Sequence, residues 1–117
     1  MLHISFALTT PQLLNGTKSV TRRNGWKKVK VGDQLMAIEK GMGLKKGEKV
    51  KKLGVIEIVN VRREPLDALY NNSEDCAREW FPDWTPEQFI SFYCKANKSK
   101  HYELVTRIEF KMIGAVR

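Results

Sequence analysis

The segment "GTKSVTRR" at residues 16–23 combines side chains that could carry out nucleophilic chemistry. A threonine hydroxyl is a weak nucleophile until a neighbouring base removes its proton, and a lysine with a lowered pKa can be that base. Arg22 and Arg23 would lower the pKa of Lys18 by like-charge repulsion. The residue types therefore suggest Thr21 as a nucleophile and Lys18 as its base.

The spacing of Lys18 and Thr21 does not by itself bring them together. On an ideal strand, residues three apart point to opposite faces, so the two side chains converge only if the chain bends, and Gly16 makes such a bend plausible. A reactive site, a phosphate contact and a polar strand edge all remain open. A reactive site would also need a carboxylate to orient the lysine or move a proton, for which the candidates are Glu39, Glu57 and Glu79.

The chain is strongly basic, with a formal net charge of +8. Six basic and no acidic residues lie between Lys18 and Lys30, and five lysines lie among residues 45–52. Such segments either neutralise phosphates, with salt-sensitive binding, or form a solvated surface. For Arg22 and Arg23 we favour ligand binding, because a planar guanidinium suits a phosphate or a base edge. Trp26 is either a stacking surface for a base or a core aromatic.

The elements that must position these residues are mostly strands. The apolar and β-branched pattern predicts strands at 4–8, 34–40, 53–66 and 102–116, and an extended segment at 18–23. Thr10 and Pro11 predict a short helix that ends near Gly16, and the stretch 66–97 has a helical pattern, with Thr85 as an N-cap. The glycine- and lysine-rich stretch 41–52 is an expected loop. This order predicts one α+β domain over 1–117, a small, mostly antiparallel β-barrel with flanking helices.

Several classes of protein are disfavoured by the composition. Cys76 and Cys94 lack CxxC spacing, and only His3 and His101 could join them, so neither a metal site nor a cofactor is expected. No apolar run approaches the length of a membrane span, and the N-terminus lacks the features of a signal peptide. We therefore expect a cytoplasmic protein without a membrane partner.

The chain resembles the ASCH domain family of the PUA-like superfamily. The resemblance rests on "GTKSVTRR", "GWKKVKVGDQLMAIEKGMG", "REPL", "EWFPDWTPEQFISFYC" and "VTRIEFKMI", in this order along almost the whole sequence. The stretches "LTTPQ" and "EKGMGLKKGEKV" look like the variant carried by bacteriophages and prophages. The resemblance implies a small PUA-like β-barrel with a positively charged cleft, in a bacterial or phage-infected cell.

The resemblance also implies roles for individual residues. Some ASCH members are amidohydrolases that remove the acetyl group of N4-acetylcytidine, with a lysine and a threonine in a G-x-K-x-x-T-x-R segment and a glutamate further on. These positions are similar to Lys18, Thr21 and Glu79, with Arg23 as a substrate or oxyanion contact. Other members are ribonucleases. The family commonly has a glycine after the glutamate, where this chain has Trp80, so a filled or reshaped pocket mouth is expected.

We thus expect an RNA- or nucleoside-binding domain, with an amidohydrolase acting on N4-acetylcytidine and a phage protein-interaction module as alternatives. The expected partner is RNA or a cytidine-type nucleoside; a monomer is favoured, although the sequence does not determine the oligomeric state. Glu39 is the alternative carboxylate. The candidate catalytic residues are Lys18, Thr21 and Glu79, and the candidate binding residues are Arg22, Arg23, Trp26, Glu39, Lys40 and Trp80.

Overall fold

The fold is built on one five-stranded sheet, seen in a computed structural model that describes residues 1–6, 9–39, 47 and 49–115. The strand order is β1-β3-β4-β5-β2, in which β1 and β3 are parallel and all other neighbours are antiparallel. The strands are β1 (His3–Ser5), β2 (Val20–Arg23), β3 (Gln34–Ile38), β4 (Lys52–Pro65) and β5 (Leu104–Ala115). The predicted α+β fold with a mostly antiparallel sheet is confirmed, and the sheet forms a curled half-barrel.

The long pair β4–β5 gives the sheet its curvature. β4 is rich in β-branched residues that suit a pleated surface, and its register against β5 shifts at Val55/Ile56 and again between Ile58 and Asn60. Such irregularities bend a strand and increase its twist. The inner, concave side holds the first hydrophobic core, which includes Ile4, Phe6, Leu13, Leu35, Ile56, Ile58, Ile108 and Phe110.

Four short helical segments complete the described structure, and three of them cover the other side of β5. They are α1 (Thr10–Leu14), a 3-10 helix (Leu66–Asn71), α2 (Asp75–Arg78) and α3 (Pro86–Asn97). A second core lies between the last three segments and β5, and contains Leu66, Leu69, Cys76, Phe89, Ile90, Tyr93 and Val105. Because β5 is covered on both faces, consecutive residues from Val105 to Ile108 are all buried.

The predicted start of α3 is confirmed in detail. Thr85 accepts a hydrogen bond from the Gln88 backbone, and the Gln88 side chain accepts one from the Thr85 backbone, with Pro86 in the first turn. This capping box satisfies two backbone donors that a helix start leaves unpaired. It fixes the N-terminus of α3, the helix that carries Phe89, Phe92 and Tyr93.

Several predicted boundaries are wrong. β1 ends at Ser5, and β3 ends at Ile38, so Glu39 lies in a bend. The helical stretch 66–97 is divided into three segments, because Asn72 and the 80–85 loop interrupt it. The expected loop at 41–52 falls largely outside the described residues, and Lys52 already belongs to β4.

Candidate functional site

Lys18 and Thr21 line the same cavity, although they are three residues apart. Gly16 has a positive φ of 81° after α1, so the chain turns there and Lys18 lies before β2 rather than within it. The alternation of an ideal strand therefore does not apply to this pair. The cavity has a volume of about 280 Å³ and is lined by Ser5, Phe6, Thr9, Lys18, Thr21, Arg22, Arg23, Glu79, Phe81, Phe89, Phe92, Tyr93, Ala96 and Asn97.

The Lys18 amine is buried and forms hydrogen bonds with Glu79, the glutamate that the family resemblance indicated. Its Nζ donates to the Glu79 backbone carbonyl at 3.1 Å and to Glu79 Oε1 at 3.3 Å. Burial lowers the pKa of Lys18, and the nearby Arg23 and Arg22 act in the same direction, while Glu79 opposes them. A lysine with a lowered pKa loses its proton more readily and can act as a base.

The Thr21 hydroxyl is oriented by Arg23. Arg23 Nε donates to Thr21 Oγ1 at 3.0 Å, its Nη2 donates to the Ser5 carbonyl, and its guanidinium carbon lies 5.2 Å from the centre of the Phe6 ring. Thr21 thus accepts a hydrogen bond from a cation and keeps its own proton to donate. No hydrogen bond joins the Lys18 amine to the Thr21 hydroxyl in the part of the chain that the structure describes.

Arg22 faces a second carboxylate that the sequence analysis did not single out. Its Nη1 donates to Glu79 Oε2 at 3.0 Å and its Nη2 to Asp75 Oδ2 at 2.7 Å. Asp75 is fully buried and is also bound by Arg107, through Nε at 2.6 Å and Nη2 at 3.0 Å. Burial would raise the pKa of Asp75, but the hydrogen bonds from Arg107 and Arg22 outweigh it and lower the pKa. Arg22 therefore fixes the Glu79 carboxylate.

Aromatic rings form the apolar wall of the cavity. Phe81 and Phe92 lie with ring centres 5.7 Å apart, and Phe81 also stacks on Trp84 at 4.3 Å. Burial raises the pKa of Tyr93, whose hydroxyl donates to Asn24 Oδ1 at 2.7 Å, so this phenol stays protonated. The apolar stripe of α3 was visible in the sequence as a helical pattern, but nothing in that pattern showed that it faces a cavity.

Three predicted binding residues lie away from the cavity. Trp26 packs against the first core and lines a shallow surface depression with Lys27 and Lys28. Glu39 is partly exposed and forms a surface ion pair with Lys51 at 3.4 Å. Trp80 is 38% exposed and does not line the cavity, whose wall at this point is Phe81. The predicted residue Lys40 lies outside the described residues.

Trp80 has a backbone conformation that glycine adopts more readily than any other residue. Its φ is 75°, in the left-handed region, where a Cβ atom costs about 1 kcal/mol or more. We expect Trp80→Gly to be more stable than Trp80→Ala by about 1 kcal/mol. Both variants lose the indole, so the difference between their free energies of unfolding in urea measures the cost of the backbone conformation. An alanine variant as stable as the glycine variant would contradict a strained backbone at Trp80.

The described residues show no other obvious chemical centre. They contain no group of three histidine, cysteine, aspartate or glutamate side chains placed to hold a metal ion. Cys76 is buried, Cys94 is partly buried, both are free thiols, and burial raises the pKa of each. No helix in the described ranges is both long and apolar enough to cross a membrane.

Comparison with known structures identifies the class of fold. The sequence matches no family model and no curated protein. The structure is similar to the ASCH protein of Zymomonas mobilis, with a TM-score of 0.65, 13% identity, and coverage of 98% of this chain and 69% of that one. It is also similar to the ASCH domain of Lactobacillus crispatus JV V101, with a TM-score of 0.62, 18% identity, and coverage of 97% and 80%.

A third solved structure matches over nearly the whole length of both chains. The hypothetical protein PH0355 gives a TM-score of 0.66 at 16% identity, covering 96% of this chain and 98% of that one. The chain therefore has the small α+β fold of the solved ASCH structures. The phage-type variant stays a prediction.

Proposed function

We propose that this ASCH-fold chain binds a cytidine-type nucleoside, either free or within single-stranded RNA, in the cavity lined by Lys18, Thr21 and Glu79. The observation that carries the proposal is a small cavity with one aromatic wall and one charged wall. Aromatic rings can stack on a base, while buried donors and acceptors can read its polar edge.

The size of the cavity favours one nucleoside rather than a longer ligand. At about 280 Å³ it is slightly smaller than the usual range for small-molecule sites, which begins at roughly 300 Å³. Phe92 and Phe81 offer ring faces or edges on one side, and Lys18 and Arg23 offer donors on the other. The net charge of +8 would favour encounter with RNA as well as with a free nucleotide.

The proposal is tested by calorimetric titration with cytidine and with a short single-stranded RNA. Phe92→Ala should weaken cytidine binding by about tenfold or more, because base–aromatic stacking contributes roughly 1–3 kcal/mol per base. Tyr70→Ala is the matched control, since Tyr70 is exposed and lies outside the cavity. RNA binding should weaken as salt increases. Equal losses in the two variants, or no binding by wild type, would refute the proposal.

A second candidate function, hydrolysis of an N4-acylated cytidine, is favoured by the lowered pKa of Lys18 beside Thr21. A neutral Lys18 amine would take the Thr21 proton, and the Thr21 oxygen would attack the acyl carbonyl. Lys18 would return the proton to the leaving N4 amine, which releases cytidine and leaves the acyl group on Thr21. Water would then hydrolyse this ester. Glu79 would hold the Lys18 amine in place, and Arg23 would bind Thr21 throughout.

A further inference from the structure

The charged groups around the cavity are unbalanced toward positive charge. The described residues in and next to the cavity include four cationic side chains: Lys18, Arg22, Arg23 and Arg107. They include two buried carboxylates, Asp75 and Glu79. Outside the cavity lining, Arg78 forms an ion pair with Glu109 at 3.0 Å and lies 3.8 Å from Asp75, while Glu109 also lies 3.5 Å from Arg107.

The two buried carboxylates are already engaged by three of the cations. Asp75 binds Arg22 and Arg107, and Glu79 binds Lys18 and Arg22. Arg23 has no carboxylate within ion-pair distance among residues 1–6, 9–39, 47 and 49–115. Lys18 can lose its proton, but an arginine stays charged. The four cations therefore exceed the two carboxylates by two charges when Lys18 is protonated and by one when it is neutral, so at least one positive charge remains.

Arg23 is also held in place for binding. Its Nε is bound to Thr21, its Nη2 to the Ser5 carbonyl, and its guanidinium lies against the Phe6 ring. Its Nη1 has no hydrogen-bond acceptor in the described part of the chain, and Arg23 lines the cavity. A partly buried cation without a counter-charge is unfavourable in the empty protein, whereas an anion bound there gains a charge-assisted hydrogen bond.

We propose that the ligand carries a phosphate group that binds Arg23, so that the preferred ligand is a cytidine nucleotide rather than a bare nucleoside. This inference rests on the proposed function, because the base is assumed to occupy the cavity. The phosphate supplies the missing negative charge and the acceptor for Arg23 Nη1. Its oxygens also suit a planar guanidinium, which can bind them in fixed geometry.

The test compares cytidine, cytidine 5′-monophosphate and cytidine 3′-monophosphate by calorimetry at one ionic strength. One of the two nucleotides should bind about tenfold or more tightly than cytidine, since hydrogen bonds to charged groups are the stronger ones. Arg23→Gln should weaken binding of that nucleotide by more than it weakens binding of cytidine, so that the preference disappears. Arg62→Gln removes the same charge from an exposed position on β4 and should leave the preference unchanged.

The outcomes separate this inference from the proposed function. If cytidine binds and neither nucleotide binds more tightly, or if Arg23→Gln keeps the full preference, the phosphate inference is wrong and the nucleoside site stands. If none of the three compounds binds, both are wrong. Arg23→Lys serves if the glutamine variant does not fold: it keeps the charge but loses the planar guanidinium, so the preference should shrink, and a full preference there would overturn the inference.

Discussion

Replacing Asp75 by asparagine should lower the free energy of unfolding by roughly 3–5 kcal/mol, the usual effect of removing one partner of a buried ion pair. Asp75 is fully buried and accepts hydrogen bonds from both Arg22 and Arg107. Without its charge, Arg22 would keep only the carboxylate of Glu79, and Arg107 would keep only that of Glu109, at 3.5 Å. The second core, to which α2 contributes Cys76, should therefore be destabilised.

Urea unfolding at neutral pH measures this effect, with Asp83→Asn, an exposed change in the loop before α3, as the matched control. The pH dependence gives a second check. The folded state lowers the pKa of Asp75 below its ordinary 3.8, so this stabilisation is complete above that value and is lost as the pH falls through the folded-state pKa. The difference between wild type and Asp75→Asn should therefore shrink only in acid. A loss below 1 kcal/mol at neutral pH would show that water satisfies the two arginines.

Lys18→Met should abolish hydrolysis of N4-acetylcytidine without unfolding the protein. Loss of a general base typically reduces the rate by about 10²- to 10⁴-fold. Methionine fills similar apolar space, and Glu79 keeps its hydrogen bond from Arg22. Because folding lowers the pKa of Lys18, the charged lysine is disfavoured in the folded state. The methionine variant avoids this cost but loses the two hydrogen bonds from Lys18 to Glu79, so we expect it to remain folded at neutral pH.

The lowered pKa of Lys18 also determines how the stability of the folded protein changes with pH. A lowered lysine pKa means that wild-type stability increases as the pH rises from the folded-state pKa toward the ordinary value of 10.5. This increase should be absent in Lys18→Met and present in Lys95→Met, which removes an exposed lysine from α3. The catalytic proposal is wrong if Lys18→Met retains wild-type turnover, or if wild type does not hydrolyse the substrate.

The sequence predicted the sheet and α3 well because their signals are local. β4 is marked by consecutive β-branched residues, and α3 by Thr85, Pro86 and an apolar stripe. The curl of the sheet comes from register shifts between strands, which no single strand encodes. α2 has only four residues within the stretch 66–97 that was predicted to be helical, and nothing in that pattern marked its acidic residue Asp75 as a buried group.

The site was less predictable than the fold. Spacing placed Lys18 and Thr21 on opposite faces, and only the family resemblance grouped them with Glu79. The pairing of Asp75 with Arg107 joins α2 to β5 and could not be read from either segment alone. Likewise, the sequence analysis named Trp80, and not Phe81, as a binding residue, whereas Phe81 lines the cavity and Trp80 has a left-handed backbone beside it.

The bond between Lys18 and Glu79 joins positions 61 residues apart. Close by, the Ser19 backbone N–H donates to the Arg78 carbonyl at 2.9 Å, so the start of β2 and the end of α2 are joined by main chain as well as by charge. Any opening that separates these two segments would take the amine away from its carboxylate in the same motion. The chemistry of this cavity would then be lost in one step rather than gradually. An intact site therefore indicates that the helical segments are packed against the sheet.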